Sequence, residues 1–284
     1  MSDAAGVRRT ATAIGGGLLL AVVLAFVLLP IVALLTYQPL PSLINGFGSQ
    51  AALDAVLVSL KTNMIAFAIM VGLGTPFAYV VARWRFPGRT VLLTLIEVPL
   101  VMPPAVAGLA LLVAFGRLGL LGHSLGALGI DLAFTQAAVV LAVLFVASPF
   151  YLRGAAAAFD GIDSTMLDVA ATLGAGPGRR MMRIAIPLAR GGLGAAAAVA
   201  FARGIGEFGA TILFAGSFQG STQTLPLAVY SLFDANLDEA VAIGVLLIVI
   251  SAAILLSAKL LVRSWVPWKS TSTSRGDLSI FARN

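Results

Sequence analysis

Two short glycine motifs and a single histidine are the first places to look for chemistry in this chain. Gly122-His-Ser-Leu-Gly126 has the G-x-S-x-G spacing of a hydrolase nucleophile elbow. Ser124 would need a histidine base placed elsewhere to take its proton, and His123, the one histidine, is its immediate neighbour. A membrane hydrolase is set aside on that ground. Gly204-Ile-Gly-Glu-Phe-Gly209 matches G-x-G-x-x-G, but it lies inside an apolar run, and Glu207 would oppose a phosphate. No G-x-x-x-x-G-K-[ST] occurs, so ATP is not bound here through a P-loop. The absence of cysteine excludes thiolate metal sites, one histidine excludes a His-rich cluster, and paired acids are absent from the apolar runs. Neither a catalytic nor a metal site is expected. What remains is Arg203 and Glu207, four residues apart on one helical face within an apolar run. Charges there usually pair or face water, so the two are read as an internal ion pair or as a gate or pathway lining.

These groups sit in a chain of 284 residues that is 60% hydrophobic and 11% charged, with mean hydropathy +1.02. A soluble domain of this length needs far more charge on its surface, so an integral membrane protein is expected. The pI near 10.3 could suggest nucleic acid. The cations gather at the ends of apolar runs, however, so a lipid bilayer and not nucleic acid is the expected partner. Met1 to Ala13 is a polar head. Ile14 to Leu35 is uncharged and long enough, at ~1.5 Å per residue, to cross a hydrocarbon core of about 30 Å. A signal peptide would be shorter and end in a small-residue cleavage site, so this run is read as a retained first span.

Five more spans are expected at about 56–82, 91–115, 134–157, 192–214 and 240–262. Pro99, Pro103 and Pro104 interrupt the third. In the fifth, Gly194, Ala198, Ala202, Gly206 and Ala210 recur every four residues, a smooth stripe for close packing of another helix. The tail, Arg263 to Asn284, is polar and expected to be disordered. The fold class is thus all-α: a polytopic protein of six transmembrane helices. With the N-terminus in the cytoplasm, every Lys and Arg except Lys61, Arg117 and Arg203 falls on the cytoplasmic side. The opposite orientation inverts this bias, so both termini are placed in the cytoplasm.

The one long polar stretch with helical signals of its own, residues 160–190, reads DGIDSTMLDVAATLGAGPGRRMMRIAIPLAR. Asp163 or Ser164 can cap a short helix, which Gly174, Gly176, Pro177 and Gly178 then break. A second helical piece, about 179–186, is expected to stop near Pro187. The orientation puts this helix-turn-helix in the cytoplasm, with Arg179, Arg180, Arg183 and Arg190 upon it.

This stretch resembles the EAA loop of ATP-binding-cassette importer permeases. Asp168, Val169, Ala170, Gly174, Ile184, Ile186 and Pro187 fall at that motif's spacings. Asp168 stands for Glu, Val169 for Ala and Ile186 for Leu. Three further runs are similar to the molybdate permease branch: Val98–Arg117, Phe201–Thr211 and Thr222–Tyr230. The resemblance covers about 55–262 and implies a type I importer permease architecture over 14–262. It implies no cofactor on this chain, with ATP and magnesium on a separate cytoplasmic ATPase that grips the 160–190 loop. It further implies a second copy of this chain and an extracytoplasmic oxyanion-binding protein. The implied cargo is molybdate, with tungstate or sulfate as alternatives. For such an anion, hydroxyl and amide donors suit a pathway because they hold it without trapping it, as a buried arginine would. Ser59, Thr62, Asn63 and Thr211 are the candidates. A secondary transporter driven by an ion gradient is the reading from another class; no clear internal repeat supports it.

Overall fold

The computed structural model describes residues 2–84 and 86–265. Met1, Arg85 and the tail from residue 266 onward lie outside the described residues, as do the side chains of 2–14, 258–259 and 261–265, Lys259 and Arg263 among them. Among the described residues there is no strand. A long first helix, α1 (Ser2–Thr36), stands almost apart from the rest. A short α2 (Leu40–Phe47) leads into α3 (Gln50–Arg83), and α7 (Gln136–Asp160) packs against it. After α8 (Ser164–Thr172), a continuous rod runs from α9 (Pro177–Arg180) through a π turn (Met181–Ala185) into α10 (Ile186–Ile205). The last long helix is α13 (Leu237–Trp265). Five helical segments are long and apolar enough to cross a bilayer.

The third expected span differs from its forecast. It is two helices, α4 (Arg89–Val101) and α5 (Pro104–Phe115), whose axes turn by 114°. Pro103 and Pro104 remove two successive backbone donors and bar the α region for the residues before them, which is enough to break the rod. The pair still traverses the bundle. Arg89 at its start lies 3.4 Å from Asp160 at the end of α7, whereas Ala107 and Leu111 pack with Ala138 and Ala142 near the start of α7. With this broken pair as one span, the expected six are present.

The fifth span differs twice. The helix does not stop at Pro187. The Ile186 N–H bonds to the Met181 carbonyl, five residues back, and this widened turn takes the helix past the position where proline offers no donor. At the other end the helix breaks at 206–208 and resumes as α11 (Gly209–Ala215). Short helices also form between the expected spans: α2, α6 (Gly122–Ala127) and α12 (Leu225–Leu232), the last with Leu225, Leu227 and Ala228 fully buried.

α7 is the centre of the bundle, with α3 on one side and α10 on the other. Its Tyr151 and Phe159 are buried among Met70, Ala78, Ala189 and Ala196. The seam with α10 depends on absent side chains. A Cβ added at Gly154 would stand 2.6 Å from Ala196 Cβ, and one at Gly192 would stand 2.5 Å from Ala158 Cβ. The buried face of α10 is therefore Ala189, Leu193, Ala196, Ala200 and Gly204. The expected stripe is offset from it: Gly194, Ala198 and Ala202 are half-buried, Gly206 is exposed, and only Ala210, beyond the break, is buried.

α11 is held against α5 in the same way. A Cβ on Gly108 would meet the Ala210 carbonyl oxygen at 2.7 Å and the Ala210 Cα at 2.9 Å. These are backbone atoms, which cannot swing aside. Gly108→Ala is therefore expected to destabilise the fold by ~1–3 kcal/mol, the range for overpacking. A lowered thermal midpoint in detergent, against an unchanged midpoint for the unhindered Gly72→Ala, checks it.

Candidate functional site

The 160–190 stretch is built from its caps inward. The Asp163 carboxylate accepts the Thr165 N–H at 2.9 Å and so starts α8. That backbone hydrogen bond, and the Thr165 side chain after it, hold the Asp163 pKa below its ordinary value. A depressed carboxylate pKa means the cap is present at neutral pH and is lost only as pH falls through that lowered value. Leu167 and Ala170 turn inward and are buried, while Met166, Asp168, Val169 and Leu173 stand exposed. Gly174 ends the helix at φ +81°, with Gly174 N–H on Ala171 O at 3.0 Å and Ala175 N–H on Ala170 O at 2.9 Å. This paired closure demands a left-handed residue, which is why glycine stands there. Pro177 then opens α9 at a position that needs no donor.

Of the seven motif positions, Asp168 and Val169 are on display, and Ala170 and Gly174 shape the helix and its stop. Ile184 and Ile186 pack into the core around α7, and Pro187 sits just past the π turn. Arg179 and Arg183 are exposed and Arg180 is half-buried. Sequence reasoning missed Arg83 and Arg89, which it assigned only to orientation. Both reach the base of this stretch: Arg83 bonds the Phe159 and Ile162 carbonyls, and Arg89 lies 3.4 Å from the Asp160 carboxylate. Only the spacing of two arginines around the end of a span could have hinted at it.

The polar residues inside the bundle form a second group. Ser59, Thr62, Asn63 and Thr211 are all buried. Ser59 Oγ accepts the Leu225 N–H at 2.8 Å, tying α3 to the start of α12. Thr62 Oγ1 donates to Val58 O at 2.7 Å, and Asn63 Nδ2 donates to Ser59 O at 2.9 Å. Asn63 abuts Gly204, where an added Cβ would lie 2.9 Å from Asn63 Oδ1. The two help line a void of about 10 Å³, the lower limit for one water molecule and too small for an oxyanion. Among the described residues, Thr211 Oγ1 and Thr224 Oγ1 are buried without a hydrogen-bond partner, as are Arg83 Nε and Arg180 Nε outside this group.

Arg203 and Glu207 meet as the sequence suggested, at 2.7 Å, with side-chain exposures of 30% and 1%. Their setting differs from one continuous helical face. Arg203 is in the last turn of α10, and Glu207 lies in the break, where its Oε1 accepts the Ala210 N–H at 2.7 Å and caps α11. Each charge stands at the helix end whose dipole favours it. The pair is asymmetric. Arg203 can reach a more polar medium, whereas Glu207 cannot. Removing only Arg203 strands a buried carboxylate, expected to cost ~3–5 kcal/mol. Arg203→Met with Glu207→Gln should cost less than Arg203→Met alone. Thermal midpoints of the wild type, Arg203→Met, Glu207→Gln and the double variant decide it; additive losses would show that the two charges do not interact.

The fold defines a multi-pass helical membrane protein that presents a capped helix-turn-helix at one end of its bundle. The chain belongs to the family described as binding-protein-dependent transport system inner membrane component, whose sequence model matches residues 74–268. It is 47% identical over 238 residues to the molybdenum transport system permease protein ModB of Mycobacterium tuberculosis, covering 82% of this chain and 88% of that protein. It is 38% identical over 214 residues to the protein of the same name from Escherichia coli K12, covering 75% and 92%. A sulfate transport system permease protein, CysW of Synechococcus elongatus, is 31% identical over 228 residues, covering 78% and 80%. Among solved structures, the fold matches a chain of a bacterial alginate ABC transporter, crystallised with an alginate pentasaccharide-bound periplasmic protein. There the TM-score is 0.67 and identity 17%, covering 90% of this chain and 96% of that one. It also matches a chain of the MetNI methionine ABC transporter in an inward-facing conformation, with TM-score 0.57, identity 18%, and coverage of 81% and 100%.

Proposed function

We propose that this chain is the membrane subunit of an ATP-driven importer that carries molybdate across the cytoplasmic membrane. The observation that carries the reading is the 47% identity, over most of both chains, to a permease named for molybdenum transport. The sulfate permease relative, at 31%, is more distant and supplies the alternative cargo. The bias of Lys and Arg supports cytoplasmic termini and puts the 160–190 loop on the side where ATP is. Two copies of this chain, a pair of ATPase subunits holding ATP and magnesium, and an external oxyanion-binding protein make up the working assembly. The half-buried stripe of Gly194, Ala198 and Ala202 is the face offered to the second copy, because small residues let two backbones approach closely.

In this reading α8 is the docking element. Asp168 and Val169, with Met166 and Leu173, form the exposed surface that an ATPase groove would cover. ATP-driven closure of the partner pair moves the two loops, and the rigid helices carry that motion into the membrane. Arg203, Glu207 and Thr211 border the path, with Ser59, Thr62 and Asn63 behind them. For Ser59, Thr62 or Asn63 to meet the anion, the bonds that tie them to α3 and α12 must first exchange.

The test is ATPase turnover of the reconstituted complex, with binding protein loaded with molybdate, tungstate or sulfate. Stimulation by the first two and not by sulfate is expected; stimulation by sulfate would move the chain to the other branch. Docking is checked separately. Asp168→Arg with Val169→Asp should lower co-purification of the ATPase at least about tenfold, as loss of a central contact does. Undiminished co-purification would remove α8 from the interface. For the pathway, Thr62→Ala with Asn63→Ala is expected to depress uptake, and wild-type uptake would remove that pair from it.

A further inference from the structure

We propose that Arg83 is a positioning residue that ties the end of α3 to the base of the 160–190 loop, so that α3 follows the loop during transport. The proposal rests on the docking reading above. An arginine in the last turn of a helix ordinarily faces solvent and offsets that helix's own dipole. Arg83 instead reaches across to another part of the chain. Its Nη2 donates to the Phe159 carbonyl at 2.9 Å and to the Ile162 carbonyl at 3.1 Å. Phe159 lies in the final turn of α7, and its carbonyl also accepts the Ile162 N–H at 3.2 Å, so Arg83 adds to the bond that closes the turn. Ile162 immediately precedes Asp163, the cap of α8. One guanidinium nitrogen therefore grips both sides of the turn between α7 and the docking helix.

The surroundings deepen the grip. Arg83 Nε is buried without a hydrogen-bond partner among the described residues, so the two Nη2 bonds are what hold the guanidinium at the turn. One turn back along α3, Tyr79 meets Phe159 edge-on, with ring centroids 5.4 Å apart, and Phe159 is fully buried. Arg89, at the start of α4, donates to the Val81 carbonyl at 2.8 Å and lies 3.4 Å from Asp160. The negative ends of the α3 and α7 dipoles meet here, and the Arg83 cation makes their approach favourable. Movement of residues 159–163 is thereby passed to α3, the helix that carries Ser59, Thr62 and Asn63. Without Arg83, α3 follows the loop only through its packing on α7 and the Tyr79–Phe159 contact.

The experiment measures anions taken up per ATP hydrolysed, with the whole complex in vesicles and molybdate as the probe. Arg83→Ala is expected to lower that ratio about two- to thirtyfold, the span of couplings carried through packed networks. Co-purification of the ATPase should hold, because the docking surface of α8 is untouched. Arg83→Lys should restore most of the ratio. The chain has no native cysteine, so Arg83→Cys with Ile162→Cys can be bridged by a short bis-maleimide. Recovery of the ratio on bridging separates tethering from folding. An unchanged ratio in Arg83→Ala, or a loss that neither lysine nor the bridge recovers, overturns the proposal. Failure of the docking reading looks different: the Asp168 and Val169 variants would then leave the ATPase bound.

Discussion

The structure depends on how closely α7 can approach the helices on either side of it. Within hydrocarbon, apolar side chains gain little by leaving lipid for one another, so helices hold through close packing and polar bonds. Gly154 against Ala196 and Gly192 against Ala158 bring the α7 and α10 backbones together. On the α3 side, the Tyr151 and Thr75 hydroxyls bond at 2.6 Å in an otherwise apolar setting. Thr75 also lies 2.6 Å from the Val71 carbonyl, so that short network binds two helices and one backbone turn. α7 is thus fixed on two sides, and α8 begins four residues beyond its end.

The same medium dictates how the chain breaks. A backbone group freed by proline or glycine has no water to turn to, so each break needs a local device. Pro187 is passed by a π turn, where Ile186 bonds to Met181. The interruption at 206–208 is closed by Glu207, which caps α11 and holds Arg203. The one large bend, between α4 and α5, is steadied by α11 packed against Gly108. Charge inside the span and interruption of the span are then one feature. The carboxylate that would be costly alone supplies the acceptor that the break requires.

Much of this was legible in the sequence. Six apolar runs, the caps of α8, the stop at Gly174 and the pairing of Arg203 with Glu207 all follow from residue type and spacing. What was not legible depends on partners distant in the chain. The period of four in the fifth span is carried by two interleaved sets of small residues, Gly194–Ala198–Ala202 and Ala196–Ala200–Gly204. Only contact with α7 decides which set is buried. Ser59 and Thr62 looked like donors free in an apolar run, yet each is engaged by backbone. α12 was hidden because Thr222–Thr224 reads as a polar loop until α3 supplies Ser59 to the Leu225 N–H. Arg83 read as a topology signal because its two acceptors are carbonyls, which carry no side-chain identity.

Both ends of the 160–190 stretch meet long helices across short turns. At its start, residues 161–163 separate α8 from α7, whose 25 residues end at Asp160. At its end, α9, the π turn and α10 form one helical rod over Pro177–Ile205. At ~1.5 Å per residue such a rod is about 40 Å long, more than the thickness of the hydrocarbon core. The rod ends at the Arg203–Glu207 break, so the loop and the charged break are joined by one helical element. The turn at the start is held from the side as well, by Arg83 and by the Tyr79–Phe159 contact. Between α3 and α10, Asn63 faces Gly204, the neighbour of Arg203. The polar groups of α3 therefore stand beside the charged break, and both are tied to the 160–190 stretch, the first through Arg83 and the second through the rod.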